Sequence, residues 1–90
     1  MLFMVIERFR HGDARPVYRR LRDAGRGMPD GVTYIGSWVE RDLKRCFQVM
    51  ECADEEALRQ WTQAWDDLVD FEILPVISSA EARAKIEKLL

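Results

Sequence analysis

The chain has few of the residue types that carry most enzyme chemistry: one histidine and two cysteines in 90 residues. A structural zinc site draws four such ligands at set spacings, so no metal centre is expected. Cys46 and Cys52 fall in one predicted strand, six positions apart. At about 3.3 Å per residue their Cα atoms stand roughly 20 Å apart, beyond disulfide reach, and both read as small buried hydrophobes. No Gly-rich phosphate loop and no nucleophile elbow occurs, so no cofactor is expected. Long apolar runs are missing too. Met1 to Ile6 is apolar, but Glu7 and Arg8 cut it short of a signal-peptide core, and no later stretch could span a bilayer. The expectation is a cytoplasmic protein with no membrane partner. Charge of one sign is also scarce, with 14 Lys and Arg against 16 Asp and Glu, a net −2, which argues against a general nucleic-acid binder.

What is present is a regular alternation of strand and helix signals. Leu2 to Arg10 opens with five apolar residues and reads as a strand covered on both faces. Gly12-Asp13 makes a turn, Asp13 can cap a helix, Pro16 suits its first turn, and Val17, Leu21 and Ala24 form its apolar stripe before Gly25 and Gly27. After the turn at Met28 to Gly31, a strand runs from Val32 to about Val39. Glu40-Arg41-Asp42 breaks the pattern, and Leu43 to Cys52 reads as its antiparallel partner. Asp54 caps a second helix whose Leu58, Trp61, Trp65 and Leu68 share one face. Phe71 to Ile77 is the fourth strand, and Pro75 within it places it at a sheet edge. Ser78 and Glu81 form a capping box for a last helix with Ala82, Ile86, Leu89 and Leu90.

The order β-α-β-β-α-β-α is a ferredoxin-like split βαβ pattern with a C-terminal helix, an α+β fold in one domain over residues 1–90. Its antiparallel sheet has strand order 4-1-3-2, with both long helices on one face. The first and fourth strands are apolar at positions of both parities, so the opposite face also calls for cover. Nine aromatic residues in so short a chain point the same way. A second copy is the simplest cover, which gives a homodimeric α+β barrel with the last helix free to clasp its partner.

Five segments carry a family resemblance: Met1 to Phe9, Pro16 to Arg20, Ser37-Trp38-Val39, Arg45 to Glu51 and Asp67 to Glu72. Together they resemble the small bacterial family called domain of unknown function 3303, over nearly the whole chain. That resemblance implies a relative of the dimeric α+β barrel proteins, among them monooxygenases, isomerases and stress-response proteins. It supplies no catalytic residues.

In the 4-1-3-2 sheet, Glu7, Arg8, Arg10, His11, Trp38, Arg45 and Glu72 gather at one end. A cavity between two sheets, its mouth lined by those groups and its floor by aromatics such as Tyr34 and Phe47, with Gln48 also in its lining, is the expected small-ligand site. The plainer account is that strand ends reach water and accept charge, or that Glu7 and Arg45 form an ion pair. The inward-facing parity stays open. A two-residue turn at Arg41-Asp42 sets Tyr34 and Trp38 with Arg45, Phe47 and Val49, and a bulge sets Trp38 with Cys46, Gln48 and Met50. His11 is the ready-made proton carrier, though a histidine beside a turn glycine is more often a solvated group. Asp66-Asp67-Leu68-Val69-Asp70 matches a magnesium-diphosphate motif, but the small mixed fold makes this a chance match.

The first 45 residues hold ten basic groups against six acidic, and the second half carries a net −6. Charge complementarity within the domain or between protomers accounts for the basic first helix without nucleic acid. Three functions follow: a small-ligand-binding or accessory protein, a cofactor-independent monooxygenase- or isomerase-type enzyme acting on a small apolar substrate, or a purely structural interaction module.

Overall fold

The computed structural model describes residues 1–90. Strand β1 (Leu2–Phe9) leads through a short 3-10 turn to helix α1 (Arg15–Ala24), and β2 (Val32–Val39) and β3 (Arg45–Cys52) form a hairpin. Helix α2 (Glu55–Gln63), strand β4 (Val69–Val76) and helix α3 (Ser79–Glu87) complete the chain. All four strands pair antiparallel in the order β2-β3-β1-β4. Read from the other edge this is the 4-1-3-2 order expected, and the molecule is a ferredoxin-like α+β fold. Its edge strand β4 carries Pro75, whose missing N–H costs the edge ladder little.

Alternation along the central strands decides which face is core. On β1, Phe3, Val5, Glu7 and Phe9 are buried while Leu2, Met4 and Ile6 keep partial exposure. On β3, Cys46, Gln48, Met50 and Cys52 are buried in the same way. These rows meet Val17 of α1 and Leu58, Trp61 and Trp65 on and after α2 in one cluster. Phe3, Val5, Met50, Leu58 and Val69 are its most deeply enclosed members, each removing enough apolar surface to contribute about 1.5–3 kcal/mol. Both long helices therefore lie against one sheet face, and α3 contributes no buried side chain.

Helix ends follow the polar signals read from sequence. Asp54 accepts from the Glu56 N–H at 2.9 Å, Ser78 accepts from the Glu81 N–H at 3.1 Å, and Asp13 accepts from the Arg15 N–H at 3.0 Å. Each satisfies one orphan donor of a first helical turn. Four strand limits move, the first being the end of β1, at Phe9 and not Arg10. β3 begins at Arg45, not Leu43, because Leu43 sits at φ 62° in a loop closed by its N–H donating to Glu40 O at 2.9 Å. β4 begins at Val69 and ends at Val76, since the register with β1 pairs Phe9 with Val69 and Leu2 with Val76.

The hairpin follows neither sequence alternative completely. Trp38 stands opposite Phe47, and then the register slips between Tyr34 and Gly36, so that Tyr34 stands opposite Met50. The irregularity lies inside β2 beside its glycine, where an added residue is tolerated. Trp38 consequently shares the helix-free face with Phe47, and Tyr34 shares the helix face with Met50. No helix of the molecule is long and apolar enough to cross a membrane.

Candidate functional site

Two side chains in the buried rows are polar. Glu7 on β1 is 7% exposed and Gln48 on β3 is 4% exposed. Cross-strand register sets Glu7 opposite Cys46 and Val5 opposite Gln48, which brings the carboxyl and the amide together on the helix face. The Gln48 side-chain N–H donates to Glu7 Oε1, and Cys46 stands directly across the strand pair from Glu7. Gln48 Oε1 is buried and has no hydrogen-bond partner in the protein. A buried acceptor left open costs about 1–3 kcal/mol, so natural cores seldom retain one.

Around this pair lies a cavity of about 60 Å³ between sheet and helices. Its apolar wall includes Phe9, Val17, Leu21, Trp61, Trp65 and Val69, and Tyr18, Arg26 and Ser37 also line it. Tyr18 remains 46% exposed, and Arg26 and Ser37 keep partial exposure, so these three form the mouth. Arg26 closes that side in two ways. Its carbonyl accepts both indole N–H groups, from Trp61 at 2.8 Å and from Trp65 at 3.2 Å. Its guanidinium lies 4.0 Å from the Tyr34 ring centroid, a cation–π contact. Tyr34 in turn shares a 2.5 Å hydrogen bond between its hydroxyl and that of Ser37.

Burial dominates the electrostatics. Removal from water pushes the Glu7 carboxyl up from 4.5 to about 7, against the opposing pull of its hydrogen bonds from Cys46 and Gln48 and of the Arg26 charge. Glu7 can thus hold or release a proton near neutrality. Burial, reinforced by the Glu7 charge, pushes the Cys46 thiol up to about 12, which leaves it a hydrogen-bond donor and not a nucleophile.

The sheet divides the residues expected at the site. Glu7 and Gln48 line the cavity, and Tyr34 borders it through Arg26 and Ser37. Trp38, Arg45, Phe47 and Glu72 belong to the opposite, helix-free face: Trp38 and Ile6 stand opposite Phe47, Glu72 opposite Ile6, and Arg45 opposite Arg8. Arg45 forms its ion pair with Glu40 at 2.7 Å, not with Glu7, because β3 turns alternate residues to opposite faces. His11 is exposed in the turn after β1, at φ 59°, and is not part of the cavity wall.

Sequence reasoning assigned Cys46, Trp61 and Trp65 to the core alone and gave no site role to Tyr18, Arg26 or Ser37. One signal could have found the pair at the centre. Glu7 is the single charged residue in the row Phe3, Val5, Glu7, Phe9, and Gln48 is the single amide in the row Cys46, Gln48, Met50, Cys52.

A larger cleft of about 490 Å³ runs between Met1, Leu2, Glu51, Pro75, Val76, Ile77 and Glu81 near the start of α3. Its Met1 ammonium pairs with Glu51 at 2.7 Å. Arginines around the first helix find acids of the second half: Arg20 makes a two-pronged contact with Asp67 at 2.7 and 2.9 Å, and Arg10 lies 3.1 Å from Asp70. Arg20 holds the Asp67 carboxyl below the usual range. Two aspartates of the Asp66 to Asp70 motif therefore face arginine.

No curated protein and no solved structure matches the chain. One family does, that described as Domain of unknown function (DUF3303), over residues 1–90; a match of that extent, on the fold and site just described, makes this chain a member of that family.

Proposed function

We propose that this protein is a homodimeric, cytoplasmic small-ligand-binding protein whose ligand occupies the cavity lined by Glu7, Gln48, Trp61 and Trp65. The observation that carries the reading is the open acceptor of Gln48 beside the buried Glu7 carboxyl. An apolar wall with a few convergent polar groups is the usual make-up of a ligand site. Two free thiols, Cys46 and Cys52, suit a reducing compartment.

Self-association rests on the other face. Leu2, Met4, Ile6, Phe47, Val49, Trp38, Leu74 and Val76 share it by register, and Trp38 is 63% exposed. Four strands of eight residues present a footprint of roughly 500 Å², from about 3.3 Å per residue and about 4.8 Å per strand, a large part of the ~800 Å² each partner of a stable complex covers. A second copy, offering the same apolar strip beside Arg8, Arg45 and Glu72, is the occupant that needs no further assumption. The enzymatic alternative with His11 as proton carrier has less support, since His11 is exposed and outside the cavity wall.

The test is a thermal-shift screen of small polar aromatics against the wild-type chain and Gln48→Leu. A ligand at about 100 Kd adds roughly 2.7 kcal/mol, which for a domain of this size raises Tm by roughly 10 °C or more. Hits that stabilise the wild type and lose that effect in Gln48→Leu are expected. Hits that stabilise both equally would place the ligand elsewhere and overturn the reading.

A further inference from the structure

Resting on the ligand-binding reading above, we infer that the cavity selects a small uncharged molecule carrying an N–H or O–H donor on an apolar ring, an azole or a phenol, whose donor bonds to Gln48 Oε1. The class follows from what each wall group can and cannot accept. Gln48 Oε1 is buried, acceptor-only, and without a partner, and one of the two N–H groups of the same amide donates to Glu7. A ligand lacking a donor would leave the acceptor open and gain nothing from it.

Each sign of charge meets an opposing group. An anion, though drawn by Arg26 at the mouth, would meet the Glu7 carboxyl and the Gln48 oxygen at close quarters in a poorly solvated space. A cation, though drawn by Glu7 once ionised, would have to pass Arg26 at the mouth. Moving a net charge into such surroundings without a full set of partners costs several kcal/mol. A neutral donor incurs neither penalty.

Size and shape narrow it further. A volume of about 60 Å³ limits the enclosed part of the ligand to a handful of non-hydrogen atoms, since one water's share of the liquid is already about 30 Å³. Phe9, Trp61, Trp65 and Tyr18 line the space, and an aromatic ring meets such a wall with favourable edge and face contacts. The rest of the ring stays at the mouth, between Tyr18 and Arg26.

The probe pair is pyrazole and 1-methylpyrazole, both uncharged at neutral pH, the second carrying a methyl in place of the donor; 4-methylpyrazole, which keeps the donor and adds the same methyl, is the control for bulk. The readout is the indole N–H resonances in a two-dimensional nitrogen-proton spectrum of the full chain. Trp61 and Trp65 border the cavity, and Trp38 on the opposite face serves as the internal control. Pyrazole is expected to move the Trp61 and Trp65 signals and leave Trp38 in place, with an affinity about ten-fold above that of 1-methylpyrazole, the lower part of what satisfying one buried acceptor supplies. Gln48→Leu, checked for folding by circular dichroism, is expected to abolish the difference between the two probes. Should that variant fail to fold, 4-methylpyrazole decides in the wild type: binding close to that of pyrazole supports the donor inference, and binding as weak as that of 1-methylpyrazole overturns it. Equal binding of both azoles at Trp61 and Trp65 would overturn the donor inference while the ligand-binding reading survived. No perturbation by pyrazole, 1-methylpyrazole or phenol at millimolar concentration would overturn both.

Discussion

Glu7 shows how a single buried group ties stability to pH. Its carboxyl titrates near 4.5 in an unfolded chain and near 7 in the folded protein. Below pH 4.5 it is protonated in both states and costs nothing. Between pH 4.5 and about 7 the unfolded chain gives up the proton that the folded protein still holds, so folding loses stability as pH rises, and the loss levels off above about 7. At about 1.4 kcal/mol for each pH unit of that interval, the loss approaches about 3 kcal/mol. Glu7→Gln keeps the shape, can still accept from Gln48, and does not ionise. Urea unfolding at pH 5 and pH 8 should show the wild type losing about 2–3 kcal/mol between the two and Glu7→Gln losing less than about 1, with the variant the more stable at pH 8. Parallel pH profiles for the two proteins would remove Glu7 as the source. The arginine-bonded carboxylates Asp13, Glu40 and Asp67 follow the opposite sense. Asp13, held down to about 2 by its hydrogen bonds from Arg15, contributes stability that is present above its unfolded value and lost in acid.

At the scale of elements, the connection between α1 and β2 does more than link them. Gly25 ends α1 at φ 72°, ψ −173°, and Gly27 follows at φ 68°, and between them the Arg26 carbonyl reaches both tryptophan indoles. A side chain at either glycine would meet no atom within 4 Å, so a substitution there acts through the backbone alone. At Gly25 the conformation is one that essentially only glycine adopts, and alanine should cost about 1–3 kcal/mol. At Gly27 the left-handed region is milder, and alanine should cost about 1 kcal/mol. Both should redden the emission of Trp61 and Trp65 as the Arg26 carbonyl withdraws. Unchanged Tm and emission in Gly25→Ala would mean that the connection does not position Arg26.

The same elements show what could be read in advance. Element order, sheet order, the Asp54 and Ser78 caps and the edge position of Pro75 follow from local periodicity and turn chemistry, which act over a few residues. The division of the site did not. Placing Tyr34 and Trp38 on opposite faces depends on a register slip within β2, between Tyr34 and Gly36, a long-range pairing outcome for which Gly36 is the sole local sign. The cavity itself was unreadable for a related reason: Arg26 and Tyr18 come to line one space with Glu7 only once α1 and the connection after it pack on the sheet, and no spacing within the chain encodes that approach.

Over the whole molecule, surfaces left uncovered matter more than those in contact. The Cα radius of gyration is 14.8 Å, against about 12 Å for a compact chain of this length. Helix α3 has no buried side chain and leaves Ile86 52%, Leu89 80% and Leu90 95% exposed. An isolated helix of nine residues is marginal in water, so its apolar residues ask for a surface beyond the protomer, and the flat face carrying Ile6, Phe47 and Trp38 asks for the same. If a second copy meets both needs, α3 belongs to the assembly and not to the protomer's core. Removing residues 79–90 should then leave the unfolding free energy of the monomeric protomer within about 0.5 kcal/mol, as for surface changes in general, and weaken self-association by ten-fold or more. Analytical ultracentrifugation of the full chain at micromolar concentration should give twice 10.6 kDa, with Trp38 emission shifting to the red on dilution as that side chain returns to water. Ile6→Asp, at the middle of the helix-free face, should give the monomer. A full-length chain that sediments as a 10.6 kDa species at those concentrations would mean that the apolar face serves a different partner or none.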